Sequence, residues 1–192
     1  DPSGRDRDGI GIVLDGREST WYQVNPWEAM AVNMRREIAL LFNHARFIDA
    51  QERADRLAKL ASPDMQPIYH ALAQLIEGYA LWDRFSYADA QQTIAKSLKI
   101  LQPYAADRED PIRLSLADFD KDVKFLGRLT AKDNEESGRL DLLDLVANAK
   151  RRAEVGYYDD AVARLYSALE GLARYYLLKH GIKNNWVRPE QV

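Results

Sequence analysis

Cysteine is absent from the 192 residues. That excludes disulfides, thiolate metal sites and cysteine nucleophiles, and it fits a reducing, cytoplasmic setting. Histidine occurs only at His44, His70 and His180, which leaves little material for a metal centre. No metal and no cofactor is expected. No apolar run approaches the roughly 18 residues of a membrane span, and no signal-peptide pattern opens the chain, so no membrane partner is expected. An excess of one charge is missing too: 27 basic residues face 30 acidic ones, a net −3. Neither a DNA-coating protein nor a disordered acidic tail has this balance. The Gly-x-x-x-x-Gly-Lys phosphate loop, the HExxH helix and the Gly-x-Ser-x-Gly elbow do not occur. What is present is a 46% hydrophobic composition, enough for a sizeable core. The chain opens on Asp1 rather than Met, and is expected to be an excised piece.

The first nine residues are turn formers and charges, and they read as loop. Ile10, Ile12, Val13 and Leu14, an Asp15-Gly16 turn, and residues 19–24 then read as a β-hairpin, because glycine accepts the positive φ of a tight turn. A lone hairpin is marginal in water. It is therefore expected to be the edge of a sheet outside this chain rather than an element of the helical body. Gly9-Ile10-Gly11 lacks the third glycine of a dinucleotide fingerprint and precedes a strand instead of a helix.

From Asn25 onward the pattern is helical. Asn25-Pro26-Trp27-Glu28 combines a cap, a proline whose missing N–H costs nothing, and an acid reaching back to the cap. Met30, Met34, Ile38, Leu41 and Phe42, at spacings of three and four, give the helix begun there one apolar face, and the same pattern places the next helices over about 48–61, 67–82 and 87–101, the last stopped by Pro103. Ser115 and Asp118 read as a capping box for a fifth helix to about 132. A sixth is expected over 139–155 and a seventh over 158–180, ended by Gly181. The fold class is thus all-α, about seven helices in antiparallel hairpins, with a short N-terminal hairpin over 1–24 and a helical domain over 25–192. Phe47, Tyr87 and Tyr158 each precede an alanine by three residues, at Ala50, Ala90 and Ala161. This resembles the second helix of a tetratricopeptide hairpin, where small residues let helices approach. The separations of 40 and 71 residues depart from a steady repeat. A non-enzymatic tetratricopeptide-like scaffold that binds protein segments is therefore one functional reading.

Asp118-Phe-Asp120-Lys-Asp122 opens like a calcium loop, but Val123 and Leu129 stand where that loop needs glycine and glutamate, so a solvated helix face is expected. The tail differs in kind. From Lys150 to Val192 eight basic residues face five acids, and five tyrosines and Trp186 are interleaved. Cations hold phosphates and aromatic rings stack bases, a mixture suited to single-stranded RNA; Lys150, Arg151, Arg152, Lys179 and Lys183 are the candidate contacts. Helical core spacing of the tyrosines and the ordinary preference for cations near a helix C-terminus account for the same residues structurally. Arg174 and His180 form the candidate catalytic pair. A histidine titrating near neutrality could move the 2′-hydroxyl proton, and an arginine could stabilise charge on the phosphate. Glu170, four residues before Arg174, offers it a plain surface ion pair instead.

Gly9 to Gly16, Asn25-Pro-Trp27, the Leu41-Phe42 to Ala50 stretch, and Tyr158 to Ala161 continuing through Arg164 to Glu170 together resemble a known family. It is the region downstream of the sensor in CRISPR-associated CARF proteins, accessory factors of type III systems. The resemblance implies an absent N-terminal CARF domain that binds cyclic oligoadenylate, with residues 1–24 as its end or link. It also implies a helical region ending in a HEPN-like, dimeric, metal-independent ribonuclease marked by Arg-x(4–6)-His. Arg174 and His180 match that spacing, with Tyr175 standing where a polar residue usually follows the arginine. On this reading the chain belongs to an antiviral defence protein, a homodimer acting on single-stranded RNA.

Overall fold

The computed structural model describes residues 26–107, 111–131 and 135–182. Its described residues form seven α-helices and one 3-10 turn, with no strand. The expected hairpin at 10–24 lies outside them. The helices are α1 Pro26–Asn43, α2 Phe47–Leu60, α3 Gln66–Asp83, α4 Tyr87–Asp107, α5 Leu116–Thr130, α6 Glu135–Glu154 and α7 Tyr158–Lys179; the 3-10 turn, Pro111–Leu114, precedes α5. The core described below belongs to the unit formed by residues 31–192.

α3 organises that core because it is apolar on both sides. Tyr69, Ala73, Ile76 and Ala80 pack with Ile38 of α1 and with Phe47, Ala50, Ala54 and Leu57 of α2. Ala71 and Leu75 pack with Ala90, Ile94, Leu98 and Leu101 of α4 and Leu126 of α5. A helix with two apolar faces must be covered on both, and α3 is, with His70 and Glu77 left exposed on the remaining side. Each fully buried leucine or isoleucine here contributes about 2 kcal/mol. Gly78 lets α3 and α4 touch: a Cβ at that position would run into the side chain of Ile94.

The three look-alike helix starts share one turn. Ala45, Phe85 and Gly156 adopt left-handed φ of 53°, 64° and 85°. In each, that residue's N–H bonds back three residues and the next N–H bonds back five: Phe85 to Trp82 and Ser86 to Leu81, Ala45 to Phe42 and Arg46 to Leu41, Gly156 to Ala153 and Tyr157 to Arg152. This is the Schellman closure of a helix end. The alanines three residues after Phe47, Tyr87 and Tyr158 are all buried. At Ala45 and Phe85 the left-handed backbone costs about 1–2 kcal/mol that glycine would not incur.

Two boundaries and one cap differ from the sequence expectation. α4 continues through Pro103 to Asp107. The proline forfeits one backbone hydrogen bond, but Leu101 and Ala105 are buried on either side and hold the last turn in place. Ser115 caps α5 through its carbonyl, which accepts from the Asp118 and Phe119 N–H groups; its side chain makes no capping bond, because the 3-10 turn leaves Ser115 already helical. α6 begins at Glu135, four residues before the expected start.

Candidate functional site

The α3–α4 turn is held by polar side chains of α6 and α7. At its centre the Asp83 backbone carbonyl accepts hydrogen bonds from Asn148 Nδ2 at 3.3 Å and Arg164 Nη1 at 3.0 Å. The Asp83 carboxylate is paired with Arg152. Arg152 Nε also lies 3.1 Å from Asp160, and Arg164 grips the same Asp160 through Nε and Nη2 at 3.1 and 3.0 Å. The Arg164 guanidinium sits 4.9 Å over the Phe85 ring, so the strained turn residue serves as a cation–π platform. The hydrogen bonds from Arg164 hold the Asp160 carboxyl below the ordinary carboxylate range, and burial pushes the Arg152 guanidinium down.

A second set of contacts lies one turn away. Trp82 Nε1 donates to both oxygens of Asp144 at 3.1 Å. The Tyr87 hydroxyl lies 2.9 Å from Asp141 and 3.0 Å from Asp144. Burial raises the Asp144 carboxyl despite the donors around it, and burial with the neighbouring carboxylates raises Tyr87. Nearby, the Tyr79 hydroxyl donates to Asp122 Oδ2 at 2.5 Å. Both groups are raised, chiefly by burial.

Beside these groups is a cleft of about 320 Å³ whose lining includes Phe42, Phe47, Tyr79, Trp82, Asp83, Asp122 and Arg151. Its aromatic rings pack on one another, Phe42 edge-on to Tyr79 at 4.8 Å and Tyr79 stacked on Trp82 at 5.7 Å.

The residues singled out from the sequence are dispersed. Arg174 and His180 are both exposed, and α7 stays helical through Lys179, with His180 as its C-cap. The two therefore lie about 9 Å apart along the axis and roughly 120° apart around it. Arg174 makes no ion pair with Glu170 among the described residues. Lys150 is exposed, with Glu154 3.8 Å away, and Lys179 is exposed. Arg151 faces the cleft, Arg152 is engaged by Asp83 and Asp160, and Lys183 lies outside the described residues. The acids at 118–122 are engaged separately: Asp118 with Lys121 and Asp120 with Lys124, each at 2.7 Å, and Asp122 with Tyr79. Among the described residues no three acids or histidines form a group able to hold a metal ion, and no helix is long and apolar enough to cross a membrane.

The network around Asp83 was missed in the sequence. Its one signal is in α6, where Asp144, Asn148, Arg151 and Arg152 recur at the spacing of an inward face, the place where apolar residues are normally found.

These observations define a helical protein in which a five-helix body is joined to a two-helix hairpin by a buried polar seam, and two family models divide at that seam. The model of the Csm6 6H domain matches residues 30–125 and that of the Csm6 HEPN domain matches residues 130–192. The chain belongs to the Csm6 family of type III CRISPR-associated proteins. Its HEPN match ties it to the CRISPR-associated effectors linked to RNA cleavage. Neither the curated proteins nor the solved structures give a match.

Proposed function

We propose that this chain is the helical effector or spacer region of an antiviral CRISPR-associated protein. It couples cyclic-oligoadenylate sensing by a CARF domain to metal-independent cleavage of single-stranded RNA in the cytoplasm. Residues 1–24 are the end of that sensor or the link to it, and residues 25–192 form the helical domain. The observation that carries this reading is the direct passage from a Csm6 6H match to a Csm6 HEPN match through one buried seam. A hairpin clamped at Asp83 moves with the body that holds it, which is what a coupling element requires.

His180 takes the 2′-hydroxyl proton and Arg174 stabilises the charge that builds on the phosphate, with Lys150 and Lys179 holding the RNA backbone. Since α7 holds Arg174 and His180 on different faces, the pair reaches one phosphate across a homodimer. An exposed stripe supports that arrangement: Val162, Leu165, Tyr166, Leu169 and Tyr176 are all exposed on α7, at the spacing of one helix face. The test is cleavage of single-stranded RNA in the presence of EDTA. His180→Ala is expected to lower the rate about 100-fold or more with fold and RNA binding intact. Arg174→Ala is expected to weaken both cleavage and binding. Wild-type rates in His180→Ala overturn the catalytic assignment.

A further inference from the structure

The Arg151 side chain is half-buried, 35% exposed, and none of its five N–H donors has a hydrogen-bond partner among the described residues. The carboxylate paired with it, Asp144, is 4.0 Å away, beyond hydrogen-bond range. Donors that the protein leaves unused are open to an acceptor that enters from solvent. Arg151 lines the aromatic-walled cleft of about 320 Å³. Asp83 lines the same cleft, and one of its carboxylate oxygens is buried without a partner.

The chemistry of an occupant follows from these groups. Asp144, 4.0 Å away, and Asp122, in the same lining, set negative charge beside the guanidinium and disfavour an anion such as phosphate. Arg151 in turn disfavours a cation. A neutral planar ring satisfies both demands if it offers an acceptor edge to the arginine and a donor edge to a carboxylate. It can also pack against the aromatic walls of Phe42, Phe47, Tyr79 and Trp82. Among nucleobases guanine presents that combination: O6 and N7 suit a bidentate arginine, while N1–H and the exocyclic amine suit a carboxylate. Adenine's amine beside N7 suits an amide side chain instead.

We propose that this cleft is a guanine-binding site for single-stranded RNA, with Arg151 reading O6 and N7 and Asp122 accepting from the donor edge. The choice of a nucleobase rests on the RNA reading above. The site itself is separate from Arg174 and His180, and it lies where the 6H-matched segment meets α6 of the HEPN-matched one.

The test is calorimetric titration of the full chain with guanosine and, separately, adenosine. Guanosine is expected to bind at least tenfold more tightly than adenosine. Arg151→Ala is expected to weaken guanosine binding at least tenfold. Arg151→Lys keeps the charge but loses the fork and is expected to weaken it similarly, so it decides the matter if Arg151→Ala fails to fold. The Trp82 indole N–H resonance should shift on guanosine addition. No saturable guanosine binding, equal adenosine binding, or binding indifferent to Arg151→Lys overturns the proposal. Guanosine binding that persists in a protein unable to cleave RNA leaves the site standing and removes the ribonuclease reading; cleavage without guanosine binding does the reverse.

Discussion

Asp122 shows how a residue that looks like surface becomes part of a packed site. It stands in a run of alternating acids, yet its carboxylate accepts the Tyr79 hydroxyl and lines the aromatic cleft. Burial is the main cause of its raised pKa; the Tyr79 hydrogen bond works in the opposite direction. The consequence for stability has a definite sign. A carboxyl whose folded pKa exceeds its unfolded value, about 3.9, binds more protons in the folded state within that window. Its contribution to stability is complete below about pH 4 and is lost as pH rises through the folded pKa. Asp122→Asn retains an oxygen to accept from Tyr79 and removes the titration. In denaturant titrations at several pH values from 4 to 7, the wild type should therefore lose stability relative to Asp122→Asn as pH rises. A difference that stays constant, or that grows in favour of the wild type, would contradict the assignment.

At the scale of helices, periodicity carried most of the information and packing supplied the rest. The starts at Phe47, Tyr87 and Tyr158 were legible because an aromatic, a buried alanine and a preceding turn recur together. The passage of α4 through Pro103 was not, since local propensity says stop while burial of Leu101 and Ala105 keeps the helix going. The candidate site was far less legible. Trp82 meets Asp144 across 62 residues of sequence and Arg152 meets Asp83 across 69. No local pattern encodes such partners, so Arg151 and Arg152 read from the sequence like surface cations. Gly78 belongs to the same class of hidden information. Within α3 a glycine costs about 1 kcal/mol relative to alanine, yet an added methyl here would meet Ile94 on α4. Gly78→Ala should therefore destabilise despite its better helix propensity, by about 1–3 kcal/mol in equilibrium unfolding. A stabilised variant would mean that α3 and α4 can separate without loss.

For the molecule as a whole, the clamp on the α3–α4 turn matters because, among the described residues, the side chains that join α6 and α7 to it are chiefly polar. Among the described residues of the hairpin few are buried: Asp144, Asn148, Ala149, Ala161 and Ala168, against an extensive apolar core over α1 to α5. The join is thus made largely of charges and hydrogen bonds, whose worth depends on being complete. Arg152→Met removes the cation from the nearly buried Asp83 carboxylate and leaves it uncompensated, a loss of about 3–5 kcal/mol. Asp83→Asn combined with Arg152→Met removes both charges and keeps the Asp83 carbonyl position, where Asn148 and Arg164 still donate. The double variant should recover more than half of the loss, since most of the single-variant cost is the stranded charge rather than the pair itself. Hydrogen exchange should separate the two parts of the chain. In Arg152→Met, α6 and α7 should exchange faster while α2 and α3 remain protected, because the apolar core around α3 does not pass through the seam. Uniform acceleration over all seven helices would show instead that body and hairpin unfold as one cooperative unit, with no boundary at the seam.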